Sequence, residues 1–116
     1  MQLPGECAPP AGAVLMALAE TQVAGCVLLQ PVDANAAEVR RLYVRPAMRG
    51  QGIGRALMQT LIEHARNAGH PTLRLETLET MREARALYHA LGFAETAAWR
   101  PPHSEQDRTI FLSRQI

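Results

Sequence analysis

The sequence predicts an α+β domain in which a mixed, mostly antiparallel sheet carries two helices. Three observations predict it: two apolar, β-prone runs near the N-terminus, a change from strand to helix periodicity at Ile53, and a long helical crossover between two strands. At 116 residues the chain is a single domain spanning 1–116, able to bury roughly two-thirds of its unfolded surface in one core.

Residues 1–12, "MQLPGECAPPAG", read as an irregular leader. Val14–Ala19 and Val23–Gln30 are apolar runs separated by "ETQ", a hairpin signature. "PVDAN" then turns the chain, and "AEVRRLYV" (Ala37–Val44) reads as a third strand that ends before Pro46. From Ile53 the apolar residues Ile53, Leu57, Leu61 and Ala65 recur at i+4, with Met58 and Ile62 beside them, which predicts a helix to about Ala68. Gly69 stands where a left-handed cap belongs, and Pro71 blocks continuation. "TLRLET" (Thr72–Thr77) is a short strand. Arg82–Leu91 forms a second helix with Ala84, Leu87, Tyr88 and Leu91 on one side, closed by Gly92. "FAETAAW" and "RTIFLSR" are the last strands, joined by the proline-rich loop "RPPHSEQD". The crossover from "AEVRRLYV" through the first helix to "TLRLET" is long enough to make that strand pair parallel.

Composition removes several function classes. Formal net charge is +1 and aromatics are 4%, without the basic excess and stacking rings of a domain that lives on phosphate backbones, so no nucleic-acid partner is expected. No apolar run approaches the roughly 20 residues of a membrane span, and no basic start or apolar h-region announces a signal peptide. Cys7 and Cys26 are too few for a disulfide framework or a zinc site and read as reduced thiols of a cytoplasmic protein. His64, His70, His89 and His103 show no metal-ligand spacing, so no metal is expected. All 12 basic residues are arginine, which excludes a P-loop lysine and a Schiff-base lysine.

The segment "RPAMRGQGIGRAL" (Arg45–Leu57) concentrates the chemistry. Gly50, Gly52 and Gly54 permit positive φ and close backbone approach, and the helix that opens there offers unpaired amides and a positive dipole end. That combination suits a phosphate, at the carboxyl end of a strand where ligands collect in sheets with parallel strands. The dinucleotide fingerprint fails because Arg55 and Leu57 stand where its third glycine is required, and the P-loop fails for want of its lysine.

What remains is Arg49-x-x-Gly52-x-Gly54. "LYVRPAMRGQGIGRALM", with "ALYHALGF" further on, resembles the GNAT family of N-acetyltransferases, which use acetyl-coenzyme A. The resemblance runs from about Ala13 to the C-terminus and is strongest from Leu42 to Phe93. It implies a GNAT acyltransferase-like fold, here entered near its second strand and so N-terminally shortened. It implies that the backbone of Arg49, Gly50, Gln51, Gly52, Ile53, Gly54 and Arg55 cradles the coenzyme diphosphate, and that Leu42, Tyr43 and Val44 pair their main chain with the pantetheine arm. Tyr88 matches the family tyrosine that protonates the departing thiolate. Glu38, eleven residues before Arg49, matches the spacing of a general-base or water-relay glutamate; the other reading of it is an ion-pair partner for a nearby arginine. Met81 departs from the pattern, since many relatives carry there an asparagine that hydrogen-bonds the coenzyme.

The expected activity is acetyl transfer from acetyl-CoA directly to a primary amine on a small molecule or peptide. The alternative is a catalytically idle coenzyme A or acyl-CoA binding module or regulatory subunit. A shortened N-terminal wall would leave apolar surface and a strand edge open, from which self-association into a homodimer or larger assembly is expected.

Overall fold

The computed structural model describes residues 12–20, 22–102 and 106–116. Most of the expected leader 1–12, with Cys7, lies outside the described residues, as do Thr21 in the first turn and His103 in the late loop. The elements run β1 (Ala13–Ala19), β2 (Gln22–Pro31), β3 (Ala37–Val44), α1 (Ile53–Asn67), β4 (Thr72–Leu78), α2 (Arg82–Ala90), β5 (Ala94–Glu95) and β6 (Thr109–Gln115). They form one six-stranded sheet in the order β1-β2-β3-β4-β6-β5. Every pairing is antiparallel except that of β3 with β4. This is the mixed, mostly antiparallel α+β arrangement that the periodicity implies.

Local chemistry explains the joints. Between β2 and β3, the Asp33 carboxylate oxygen Oδ1 accepts hydrogen bonds from the amides of Asn35 and Ala36, at 2.7 and 2.9 Å, which closes the turn. Both helices end on a glycine at φ +88°, Gly69 and Gly92. In each case the next amide reaches back into the last turn: His70 to the Ala65 carbonyl and Phe93 to the Tyr88 carbonyl, both at 3.0 Å.

The core lies between the sheet and the two helices. Leu57, Met58, Leu61, Ile62 and Ala65 of α1 pack with Val27, Leu29, Ala37, Val39, Leu73, Leu75, Ile110 and Leu112 of the sheet, and with Tyr88, Leu91 and Phe93. The helix stripe read from the i+4 spacing is this buried face. On β1 the alternate residues Met16 and Leu18 remain exposed.

The segment "FAETAAW" departs from expectation. Only Ala94–Glu95 is strand, extended by one bond from the Thr96 amide to the Phe111 carbonyl at 2.8 Å. Beyond it the chain leaves the sheet edge. Trp99 packs edge-on to Phe111, with centroids 4.8 Å apart, and the Arg74 guanidinium lies 4.6 Å from its ring centre. Phe111 and Arg74 alternate with core residues along β6 and β4, so Trp99 covers the sheet face opposite the helices. Burying that indole is worth more than continuing a solvent-exposed edge strand.

One close approach fixes the end of β3. A Cβ on Gly25 would fall 2.7 Å from the Tyr43 carbonyl oxygen and 3.3 Å from Val44 Cα, both main-chain atoms that cannot swing away. Gly25→Ala is expected to lower stability by about 1–3 kcal/mol in urea titration, by pushing β3 off β2. An unchanged midpoint would show that the two strands are not tightly joined there.

Candidate functional site

Strands β3 and β4 lie side by side only at their starts, where Ala37 pairs with Leu73 and Glu38 with Arg74. They then part. On the other flank of β3 the register with β2 shifts between Cys26 and Leu28, so that Arg41 and Leu42 face a single residue, Val27. Arg41 takes φ +55° in this bulge. An extra residue on one strand bends it and increases its twist, and β3 turns away from β4 after the bulge. Its free edge and the diverging end of β4 leave two adjoining clefts.

The larger cleft, of ≈ 810 Å³, is walled by Leu42, Tyr43 and Val44 on β3, by the following loop, and by the first turns of α1 and α2. Its size is that of a site for a substantial ligand. In the loop, Pro46–Met48 makes a single 3-10 turn, Arg49 is extended, and Gly50 and Gly52 take φ +82° and +80°. Gly52 is the N-cap of α1 and has no side chain to satisfy the helix amides. The first amide to find a carbonyl is that of Ala56, on Gly52 at 3.0 Å. The amides of Gly50 through Arg55 have no backbone acceptor among the described residues. Such a row of unpaired donors at a helix N-terminus is an anion cradle. Its charge agrees: Arg49, Arg55 and Arg82 line the cleft against Glu83. The Arg49 Nε donates to the Val44 carbonyl at 3.0 Å, and its guanidinium carbon lies 5.9 Å from the Tyr43 ring centre, which fixes the loop against the strand end.

Of the residues singled out in the sequence, Leu42, Tyr43, Val44, Arg49, Gly50, Gly52, Ile53, Gly54 and Arg55 line this cleft together; Gln51 does not. Gly54, in the first turn of α1, would carry a Cβ in ordinary contact with Leu87 at 3.5 Å and Val44 at 3.7 Å. The N-terminal turn of α2 is a wall of which sequence reasoning marked only Met81 as bearing on the coenzyme. Thr80, Met81, Arg82, Glu83 and Ala84 stand there with Leu87. Met81 is the N-cap and makes no side-chain cap bond, so a second helix N-terminus faces the same space. The sequence marked Ala84 and Leu87 as an apolar helix face, and that stripe was the available signal.

The smaller cleft, of ≈ 340 Å³, is lined by Glu38, Val39, Arg40, Arg41, Glu76, Thr77, Leu78 and Met81. Met81 borders both clefts. Glu38 is buried, and both its carboxylate oxygens accept from Nη2 of Arg100 at 2.7 Å. Nη1 of Arg100 lies 3.2 Å from Oε2 of Glu76. The ion-pair reading of Glu38 is therefore the one seen, with an arginine 62 residues away in sequence.

Tyr88 lies below the cleft wall rather than on it. Its ring is buried in the core, 6.0 Å from that of Phe93 and steeply inclined to it, while Ala84 and Leu87 of the same helix face the cleft. Burial pushes its phenol up to about 12 from 10.0, because the charged phenolate loses solvation. Among the described residues no group of three His, Cys, Asp or Glu side chains is placed to hold a metal ion. Cys26 is a free thiol. No helix among them is long and apolar enough to cross a membrane.

The raised phenol makes stability fall with alkalinity. Between about pH 10 and 12 the unfolded tyrosine has lost a proton that folded Tyr88 retains, so unfolding releases a proton and is favoured as pH rises. Below about pH 10 the contribution is fully present. Unfolding free energies from urea titration across that window should decline by up to about 1.4 kcal/mol per pH unit, and Tyr88→Phe should flatten the decline. Parallel slopes in the two proteins would place the Tyr88 hydroxyl in water.

The comparisons with known proteins agree with this geometry. The family model for the acetyltransferase (GNAT) family matches residues 3–93. An uncharacterised N-acetyltransferase of Schizosaccharomyces pombe is 38% identical over 90 residues, which cover 76% of this chain and 55% of that protein. An IAA acetyltransferase of Azospirillum brasilense is 35% identical over 103 residues, 88% of this chain and 67% of the other. The chain thus spans little more than half the length of the first of these relatives. Among solved structures, the ribosomal-protein-S18-alanine N-acetyltransferase of Escherichia coli superposes with a TM-score of 0.79 at 28% identity, covering 91% of this chain and 70% of that one. A GNAT family acetyltransferase from Elizabethkingia anophelis with acetyl-CoA bound shares the fold, with a TM-score of 0.78 at 24% identity, over 91% of this chain and 77% of the other. With a family match over residues 3–93 and a relative 35% identical over 88% of its length, this chain belongs to the GNAT family of acetyltransferases.

Proposed function

We propose that this chain binds acetyl-CoA in the larger cleft and catalyses transfer of the acetyl group to a primary amine that enters through the smaller one. The row of unpaired amides from Gly50 to Arg55, at the mouth of a cleft bearing Arg49, Arg55 and Arg82, carries the reading. These donors would hold the diphosphate through charge-assisted hydrogen bonds and the α1 dipole. The free edge of β3 at Leu42, Tyr43 and Val44 offers main-chain groups to the pantetheine amides. Bound there, acetyl-CoA supplies an acetyl thioester to the junction of the two clefts near Met81.

The acceptor must reach the thioester as a neutral amine. Glu38 is the carboxylate beside that path, and the lone pairs not engaged by Arg100 can take the ammonium proton directly or through a water. As the C–N bond forms and the C–S bond breaks, the departing thiolate takes a proton from Tyr88, and the acylated nitrogen gives up its extra proton, through water, to restore the phenol. Burial keeps that phenol protonated well above neutral pH. The acceptor class is a small-molecule or peptide amine.

One observation favours a second reading. Tyr88 stands behind Ala84 and Leu87, and Glu38 is tied to Arg100, as in a coenzyme A or acyl-CoA binding module without turnover.

Two measurements test these readings. Acetyl-CoA at about 100 times its Kd should add roughly 2.7 kcal/mol of stability, visible as a raised melting temperature, with less from ADP and none from NAD. A melting curve unmoved by millimolar acetyl-CoA rejects both readings. Tyr88→Phe keeps the ring and its packing but removes the proton, so kcat with an amine panel should fall about 10²–10⁴-fold while acetyl-CoA affinity holds. Equal kcat removes Tyr88 from the mechanism, and coenzyme binding without turnover in the parent establishes the binding module.

A further inference from the structure

The segment that follows β5 has a role that the fold alone does not require. Trp99 turns it onto the sheet face opposite the helices, wedged against Phe111 and Arg74. The next residue, Arg100, reaches from there to Glu38 on β3 and to Glu76 on β4, at 2.7 and 3.2 Å. These two carboxylates lie on either side of the line along which β3 and β4 part, and both line the smaller cleft. Their side chains are only 6% and 9% exposed, whereas Arg100 is 29% exposed.

Of the neighbouring cations, Arg41 stands in the bulge on the cleft lining, and two others are engaged elsewhere. On β3, Arg40 donates to the Gln30 Oε1 of β2 at 2.9 Å. On β4, Arg74 sits over the Trp99 ring. Two carboxylates this close and this buried repel each other and carry a large desolvation cost unless a cation sits between them. A guanidinium is suited to the task, since its planar fork can address two acceptors at once while its hydrophobic faces tolerate partial burial. Pro101 and Pro102 follow it and stiffen the chain where it leaves the face.

We propose that Arg100 is a positioning residue for the acceptor side of the reaction. Anchored by Trp99, it clamps Glu38 and Glu76 across the parting strands and holds the Glu38 carboxylate oriented toward the smaller cleft. It touches neither the coenzyme cleft nor the reacting atoms; it acts through Glu38. The inference rests on the acetyl-transfer reading of the site.

The test uses Arg100→Gln and Arg100→Lys beside the parent, in the full chain. Trp99 is the one tryptophan of the sequence, so its emission reports whether the segment remains docked. Arg100→Gln should lower kcat about tenfold or more, counted per folded protein, while KM for acetyl-CoA stays within about twofold, because the diphosphate cradle lies in the other cleft. Its Trp99 emission should shift to the red. Arg100→Lys, which keeps the charge without the fork, should recover part of both signals. A general loss of structure would lower coenzyme affinity and kcat together and would not be rescued by lysine; that pattern overturns the proposal. So does an Arg100→Gln variant that turns over like an active parent. A parent that binds acetyl-CoA and acetylates no amine overturns the acetyl-transfer reading itself, and the role of Arg100 with it.

Discussion

Two residue pairs, Ala37 with Leu73 and Glu38 with Arg74, are all that join β3 to β4, and the site depends on their being so few. A longer parallel ladder would close both clefts and bury the β3 edge that faces the coenzyme side. The shortness comes from the bulge at Arg41, where β3 spends an extra residue against β2 and bends away. A non-glycine residue at positive φ is uncommon, and it sits here between the two clefts. The same bend delivers Val44 to the glycine loop, where Gly25 leaves room for the Tyr43 carbonyl. A strand irregularity in the middle of the sheet thus sets the position of the glycine loop at its end.

Around that opening the chain arranges positive potential without a single lysine. The α1 and α2 N-termini, with Arg49, Arg55 and Arg82, face the larger cleft, whereas Glu38 and Glu76 face the smaller. Arg40 and Arg41 also line the smaller cleft beside those carboxylates, so it carries both signs of charge, while the larger one has the donors that suit a polyanion. Met81 stands at the border, a flexible apolar residue at the N-cap position where a polar one would ordinarily bind helix amides. The Arg82 amide is taken by the Thr80 carbonyl at 2.9 Å, while those of Glu83 and Ala84 receive no side-chain cap.

Much of this was legible in the sequence because it rests on local period and local turn chemistry. The i+4 stripe from Ile53 to Ala65, the glycine caps at Gly69 and Gly92, and the glycine loop after Val44 each announce themselves within a few residues. The parallel crossover followed from chain length alone. What was not legible is what depends on distant partners. The sequence "FAETAAW" has strand propensity, yet only Ala94–Glu95 pairs, because Trp99 finds a better burial site on Phe111 and Arg74. The clamp of Arg100 on Glu38 spans 62 residues and leaves no mark in either segment. Tyr88 was legible as a residue of the apolar helix face, but its depth below the cleft wall depends on how Ala84 and Leu87 pack in front of it.

The central claim is that the backbone of the glycine loop is the seat of the coenzyme. Amide-resolved NMR of the 15N-labelled chain, titrated with acetyl-CoA, addresses it atom by atom. The amides of Gly50, Gly52, Ile53, Gly54 and Arg55 should show the largest shifts, followed by Leu42 to Val44 and the first turn of α2, with β1 and the far end of β6 unmoved. Binding that leaves the Gly50–Arg55 amides in place, or that perturbs another face of the sheet instead, would contradict the account.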